Sequence, residues 1–184
     1  MDFENFYPGS FDQPKGVIKV IGAGSIRVEP DIALINLGVI TEDMSLEKAQ
    51  AENAARSISM LGSLYRLTIP KKDIQTLIYD IQPQYDFVEG RQVFRGYRVT
   101  NILTVTIRDK NSVGRVIDTA TANGANRVEN IRFEAENPSV YYKKALDTAV
   151  KDAAAKAREI GYSLGVQINP VPFRVSEITY SPVV

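Results

Sequence analysis

The chain has no histidine, no cysteine and no tryptophan among its 184 residues. Without histidine there is no Ser-His-Asp triad, no imidazole proton shuttle and no His-ligated zinc. Without cysteine there is no thiolate nucleophile, disulfide, iron–sulfur cluster or thiol peroxidase chemistry. Zero cysteine suits reducing and oxidising compartments alike. An excess of one charge is also missing, since 22 basic side chains face 22 acidic ones. Phosphate binding needs surplus Lys and Arg, so no nucleic-acid partner is expected. The same balance argues against a polybasic membrane anchor. No run approaches the roughly 18 apolar residues of a membrane span, so no transmembrane segment is expected. The opening stretch, Met1 to Gly16, is acidic where an export signal is basic and lacks its apolar centre. As written, the chain reads as cytoplasmic; removal of a leader would make it periplasmic or cell-surface.

What remains is an ordinary globular composition, 44% hydrophobic and 24% charged, which supports a packed core and is wrong for a disordered chain. A chain of this length buries roughly 70% of its unfolded surface and needs no metal or disulfide staple. Residues 1–16 are expected to form a flexible tail, with Phe3, Phe6, Tyr7 and Phe11 the aromatics of an alternative docking arm. Val17 to Val28, punctuated by Gly22 and Gly24, reads as an extra N-terminal strand. Ile32 to Ile40 alternates as a strand with Ala33, Ile35, Leu37 and Val39 on one face. Asp43 or Ser45 caps a helix running to about Leu67, with Ala51, Ala54, Ala55, Ile58, Leu61 and Tyr65 as its expected buried stripe.

A strand from Ile74 to about Asp86, a turn at Glu89-Gly90 and a strand from Val93 to Ile107 follow. In the latter, Tyr97, Val99, Leu103, Val105 and Ile107 point one way, and Arg98, Thr100, Thr104, Thr106 and Arg108 the other. A shorter helix begins at Asn111 or Ser112 and ends at Asn123-Gly124, a left-handed cap signal. Val128 to Phe133 is the next strand. Asn137-Pro138 then opens a long helix with Tyr142, Ala145, Leu146, Ala149, Val150, Ala153, Ala157, Ile160 and Leu164 on its apolar side. Val166 to Tyr180 reads as a proline-interrupted edge strand. Strand–helix–strand over 31–86 recurs over 96–134, joined by the 86–93 hairpin. The fold class is therefore α+β: a split β-α-β-β-α-β core with an extra N-terminal strand, a long C-terminal helix and an edge strand.

Motifs that carry chemistry are thin. Gly22-Ala23-Gly24-Ser25 fails the dinucleotide fingerprint, because Arg27 stands where the third glycine would fall and no helix follows. Glu42-Asp43 and Glu134/Glu136 are the densest acidic clusters, suited to a carboxylate hydrolase or a hard metal ion. Both lie at strand-to-helix junctions, where carboxylates favour helix N-termini in any case. Ser45-Leu46-Glu47-Lys48 has the letters of a Ser–Lys nucleophile, but its serine sits at a helix cap. No catalytic, cofactor or metal residue is assigned. The candidate interface is the hairpin from Pro83 to Arg98, which interleaves Tyr85, Phe87, Phe94 and Tyr97 with Arg91, Arg95 and Arg98. Aromatics with arginine are the stuff of interface hot spots; the alternative is a hairpin whose rings fold back on the core.

Gly22-x-Gly24, Pro30-Asp31-x-Ala33 and Leu37-Gly38-Val39 are similar to the opening of the SIMPL-domain family, a domain of unknown function. Asp73-Ile74-Gln75-Thr76, Pro83-x-Tyr85, Gly96-Tyr97 with Asn101, Gly124-Ala125-Asn126, Phe133 and the alanines 145, 149, 153 and 157 continue the likeness in order. It spans about 17 to 168, and residues 17–184 are expected to be one SIMPL-like domain. The resemblance implies a bacterial protein, often periplasmic or surface-associated in such relatives, in some of them linked to oxidative-stress tolerance and in one to a large ring-like oligomer. It carries no catalytic residues. This chain departs from the pattern in lacking an export signal and in stopping at Val184, where relatives continue into one more strand. An edge left unpaired by that missing strand would invite self-association. The expectation is a non-enzymatic, homo-oligomerising scaffold or binding module with an indirect stress-related role, no cofactor, and room for a further protein partner. Its alternatives are a small-molecule or envelope-ligand binder and a carboxylate- or metal-dependent hydrolase.

Overall fold

The computed structural model describes residues 16–177. They form two compact units, one of residues 28–138 and one of 16–27 with 139–177. In chain order the elements are β1 (Ile32–Asp43), α1 (Leu46–Arg66), β2 (Ile74–Val88), β3 (Arg91–Ile107), α2 (Val113–Ala122), β4 (Arg127–Glu134) and α3 (Pro138–Ser163). The β-α-β-β-α-β order is present in the first unit, and the long C-terminal helix follows it.

The four strands form one sheet in the order β2-β3-β1-β4, and every neighbouring pair is antiparallel. Period-two alternation aims Ala33, Ile35, Leu37 and Val39 at the helices, and all four are fully buried. Their β3 partners Leu103, Val105 and Ile107 lie on the same face. Met60 and Leu64 of α1 and Val116 and Ala120 of α2 close this core. Burying side chains of this kind stabilises by roughly 1.5–3 kcal/mol each, before the entropy of ordering them is subtracted.

Helix α1 starts where its sequence signals it. Ser45 is the N-cap and its Oγ accepts from the Lys48 amide. Its orientation departs from the expectation. The side facing the sheet carries Ala49, Asn53, Ser57, Met60, Ser63 and Leu64. Ala51, Ala54, Ala55, Ile58 and Tyr65 face outward, and only Leu61 of the expected stripe touches the core. The cause is a polar staple. Asn53 Nδ2 donates to the carbonyls of Val39 at 2.9 Å and Val99 at 3.0 Å, tying the helix to two strands. Asn101 Nδ2 donates to Ser57 Oγ, Ser57 Oγ donates to Asn53 Oδ1, and Thr41 Oγ1 donates to the Ala49 carbonyl. Rotating the apolar stripe inward would orphan all of these buried groups, a penalty of about 1–3 kcal/mol for each.

The residues read as an N-terminal strand, Val17 to Val28, join no ladder, and all but Val28 belong to the second unit. They form an extended strap along α3. A Cβ on Gly22 or Gly24 would lie 2.0 Å from the carbonyl oxygen of Ala149 or Ala145, so glycine is required for this approach. Asp152 accepts the Ala23 amide at 2.8 Å, and Lys156 donates to Asp152 at 2.7 Å and to the Ile21 carbonyl at 3.0 Å. The Ala23 amide and the Ile21 carbonyl thus meet helix side chains and not a neighbouring strand. The strap is one chain wide, and Leu146, Val150, Ile160 and Leu164 on the expected buried side of α3 stay exposed. Residues 166–177 of the expected edge strand form no strand either. Residues 178–180 of that segment, and residues 1–15 of the expected flexible tail, lie outside the described residues.

Candidate interaction site on the β2–β3 hairpin

β2 and β3 are the longest strands, 15 and 17 residues. They turn at Glu89 (φ 49°) and Gly90 (φ 76°), the paired left-handed geometry of a tight hairpin. β1 accompanies β3 only as far as the Asp43–Tyr97 pair. Beyond it, residues 84–96 form a two-stranded arm that leaves the sheet. At its root β3 bulges at Arg95, next to Gly96, because Gln84 pairs with Gly96 and Tyr85 with Phe94. Gly96 has φ 146°, and a Cβ there would lie 2.7 Å from the Asp43 carbonyl oxygen, so the exit is built for glycine.

The candidate residues fall into two groups. Tyr85 and Phe94 meet edge-to-face at 5.7 Å, and Phe94 and Tyr97 at 5.2 Å, in a ladder along one face of the arm. Phe87, nearer the tip, is 77% exposed and continues that face. Arg95 and Arg98 are engaged instead. Both bind Glu42 at the end of β1, Arg98 through Nε at 2.6 Å, and Arg95 also lies 3.7 Å from Asp86. The Arg98 and then the Arg95 guanidinium hold the Glu42 carboxyl below the usual carboxylate range. Arg91 makes no ion pair among the described residues. The hairpin is therefore an apolar arm braced at its root by one carboxylate between two guanidiniums. The brace was hidden in the sequence because Glu42 and the arginines are more than fifty residues apart. The one signal was an acid at the end of a strand that pairs with Arg98.

A shallow depression of about 240 Å³ lies at this root, beside Met44, Gln84 and Tyr97. Its carboxylate, Glu42, is already spent on the arginines, and Asp43 accepts the Ser45 amide at 2.7 Å. The second acidic cluster is likewise occupied. Glu136 and the buried Asp73 share Arg108, whose pKa both carboxylates raise, and Glu134 pairs with Arg132. Among the described residues no group of three or more His, Cys, Asp or Glu is placed to hold a metal ion.

The SIMPL family, described as "Protein of unknown function (DUF541)", matches residues 18–183. The chain belongs to the SIMPL family. Its relatives include the 26 kDa periplasmic immunogenic protein of Brucella abortus (strain S19), 29% identical over 170 residues, which are 90% of this chain and 68% of that protein. They also include the uncharacterized protein YggE of Escherichia coli (strain K12), 31% identical over 169 residues, 89% of this chain and 68% of the relative. The SIMPL match covers both described units. No helix among the described residues is long and apolar enough to cross a membrane.

Proposed function

We propose that this SIMPL-family chain is a non-enzymatic assembly module whose β2–β3 arm makes contacts between copies of the chain. One observation carries the reading: residues 85–95 are all exposed, and they include Tyr85, Phe87, Val88, Val93 and Phe94. A lone two-stranded ribbon is marginal in water, and apolar surface of this density is rare on a monomer unless something covers it. The contact runs through the faces of the arm. Pro83 and the bulge at Leu77, between Thr76 and Ile78, interrupt the outer edge of β2, devices that oppose strand addition. The lack of histidine and cysteine favours a physical over a chemical role, so any part in stress tolerance is indirect. The name of the Brucella relative, a periplasmic immunogenic protein, supports a periplasmic setting for such a module.

Sedimentation of the full chain tests the proposal. The wild type is expected to sediment as an oligomer, and Phe87→Ser to shift it toward monomer with an unchanged circular-dichroism spectrum. A wild type that stays monomeric at high concentration would sink the reading.

A further inference from the structure

Helix α1 presents an apolar stripe to solvent although a helix on a sheet ordinarily buries one. Ala51, Ala54, Ile58 and Tyr65 are exposed, and with the half-buried Leu61, which also packs on the core, they recur at alternating spacings of three and four, the seam of a helix pair. Ile58, at the middle, is 70% exposed. The stripe cannot turn inward, because Asn53 and Ser57 hold the opposite side of the helix against β1 and β3. Glu52 and Arg56, on its flank, pair with each other at 2.6 Å and leave the stripe free of charge from Ala51 to Tyr65.

We propose that this outward face is a self-docking surface, on which α1 of a second copy of the chain lies antiparallel about a two-fold axis at Ile58. The size gradient along the stripe selects that occupant and direction. The first turns of the face are small, Ala51 and Ala54, and the last carries the large Tyr65, beside the half-buried Leu61. An antiparallel mate sets Tyr65 over the partner's Ala51 and seats Ile58 against its own copy. A parallel mate sets Tyr65 on Tyr65 and leaves a void at Ala51. Charge agrees with size. Glu47 leads into the stripe and Arg66 ends it, neither in an ion pair among the described residues, Arg66 donating to Asn123 Oδ1, and the antiparallel arrangement brings each toward the other. It also opposes the two helix dipoles. The seam is about 21 Å long at 1.5 Å per residue. It is narrower than the roughly 800 Å² per partner of a standard interface, so the contact is weak alone and gains from any other contact that holds two copies together. It shares no residue with the β2–β3 arm, so the two stand or fall separately.

The natural absence of cysteine makes the test clean, because one introduced thiol is the only thiol. Single-cysteine forms of the full chain, Ile58→Cys, Ala51→Cys, Tyr65→Cys and the exposed α2 control Asp118→Cys, are oxidised mildly at equal concentration. Ile58→Cys is expected to form a disulfide dimer at least about tenfold faster than the control, as close approach raises effective concentration. Ala51→Cys mixed with Tyr65→Cys is expected to link across, faster than either links to itself. The same pattern is expected in a Phe87→Ser background, where the arm contact is removed. Ile58→Cys linking no faster than Asp118→Cys overturns the proposal, and so does preferential self-linking of Ala51→Cys, the mark of a parallel pair. Loss of oligomer in Phe87→Ser with this pattern retained leaves both contacts standing, whereas a wild-type monomer with the pattern retained removes the arm reading alone.

Discussion

Asn53 is the residue on which the setting of α1 turns. Its amide bridges carbonyls on β1 and β3, and it is 1% exposed, so both hydrogen bonds lie where water cannot replace them. Asn53→Ala is expected to lower stability by about 1–3 kcal/mol, the range for leaving buried partners unsatisfied. Ile58→Ala, five residues on, removes a larger apolar side chain yet should change the stability of the isolated monomer by under about 0.5 kcal/mol, because the side chain is already in water. Urea unfolding of the two variants, at concentrations too low for association, checks the contrast. Equal losses would show that Ile58 packs against its own chain. A hydrophobicity pattern points to the opposite ranking. Apolar periodicity reports where a helix has an apolar side, and only the directional bonds of Asn53 and Ser57 say which side meets the sheet.

Among the elements, the β2–β3 arm depends on its root. Glu42 braces it from β1 through Arg98 and Arg95, and its carboxyl is held below the ordinary glutamate value of 4.5. A lowered folded pKa means that the ionised brace stabilises the fold fully above that ordinary value, and that the contribution is lost as pH falls through the lower, folded value. The difference in melting temperature between wild type and Glu42→Gln should therefore be flat around neutral pH and shrink toward zero in acid. Since the pair is partly exposed, the effect is under about 1 kcal/mol. A thermal-melt series across pH tests the sign: a gap that widens in acid would contradict the brace. Most of the elements could be read beforehand. Alternation marked β1 and β3, Ser45 and Pro138 marked two helix starts, and Asn123-Gly124 marked a helix end. The strap at 17–28 could not be read, because β-branched residues and glycines suit an extended chain whether its amides face a strand or a helix carboxylate such as Asp152. The aromatic and arginine residues of the arm were visible as types. Their division into an exposed apolar face and an ionic root arises from pairings distant in sequence.

At the scale of the whole molecule, equal numbers of acids and bases leave the chain without the mutual repulsion that keeps many proteins apart. The ion pairs that involve the arm lie within one copy, between Glu42, Asp86 and the arginines. Association through apolar faces should then survive, or strengthen, as salt is raised to about 0.5 M, where screening of exposed charges is nearly complete. Sedimentation across a salt series checks this, and dissociation on adding salt would point to Arg91 or other free charges as the real contact. The sheet topology adds a mechanical consequence. β1 opens the unit of residues 28–138 and β4 closes it, and the two lie side by side with Ile32 opposite Glu134 and the Asp31 amide bonded to the Glu134 carbonyl. Tension arriving along the two flanking stretches of chain would meet this ladder at one end and part it rung by rung, like a zipper, instead of loading all its rungs at once. The seam between β1 and β4 is where a pulled chain would yield first, while the arm, at the opposite margin of the sheet, would carry none of the load.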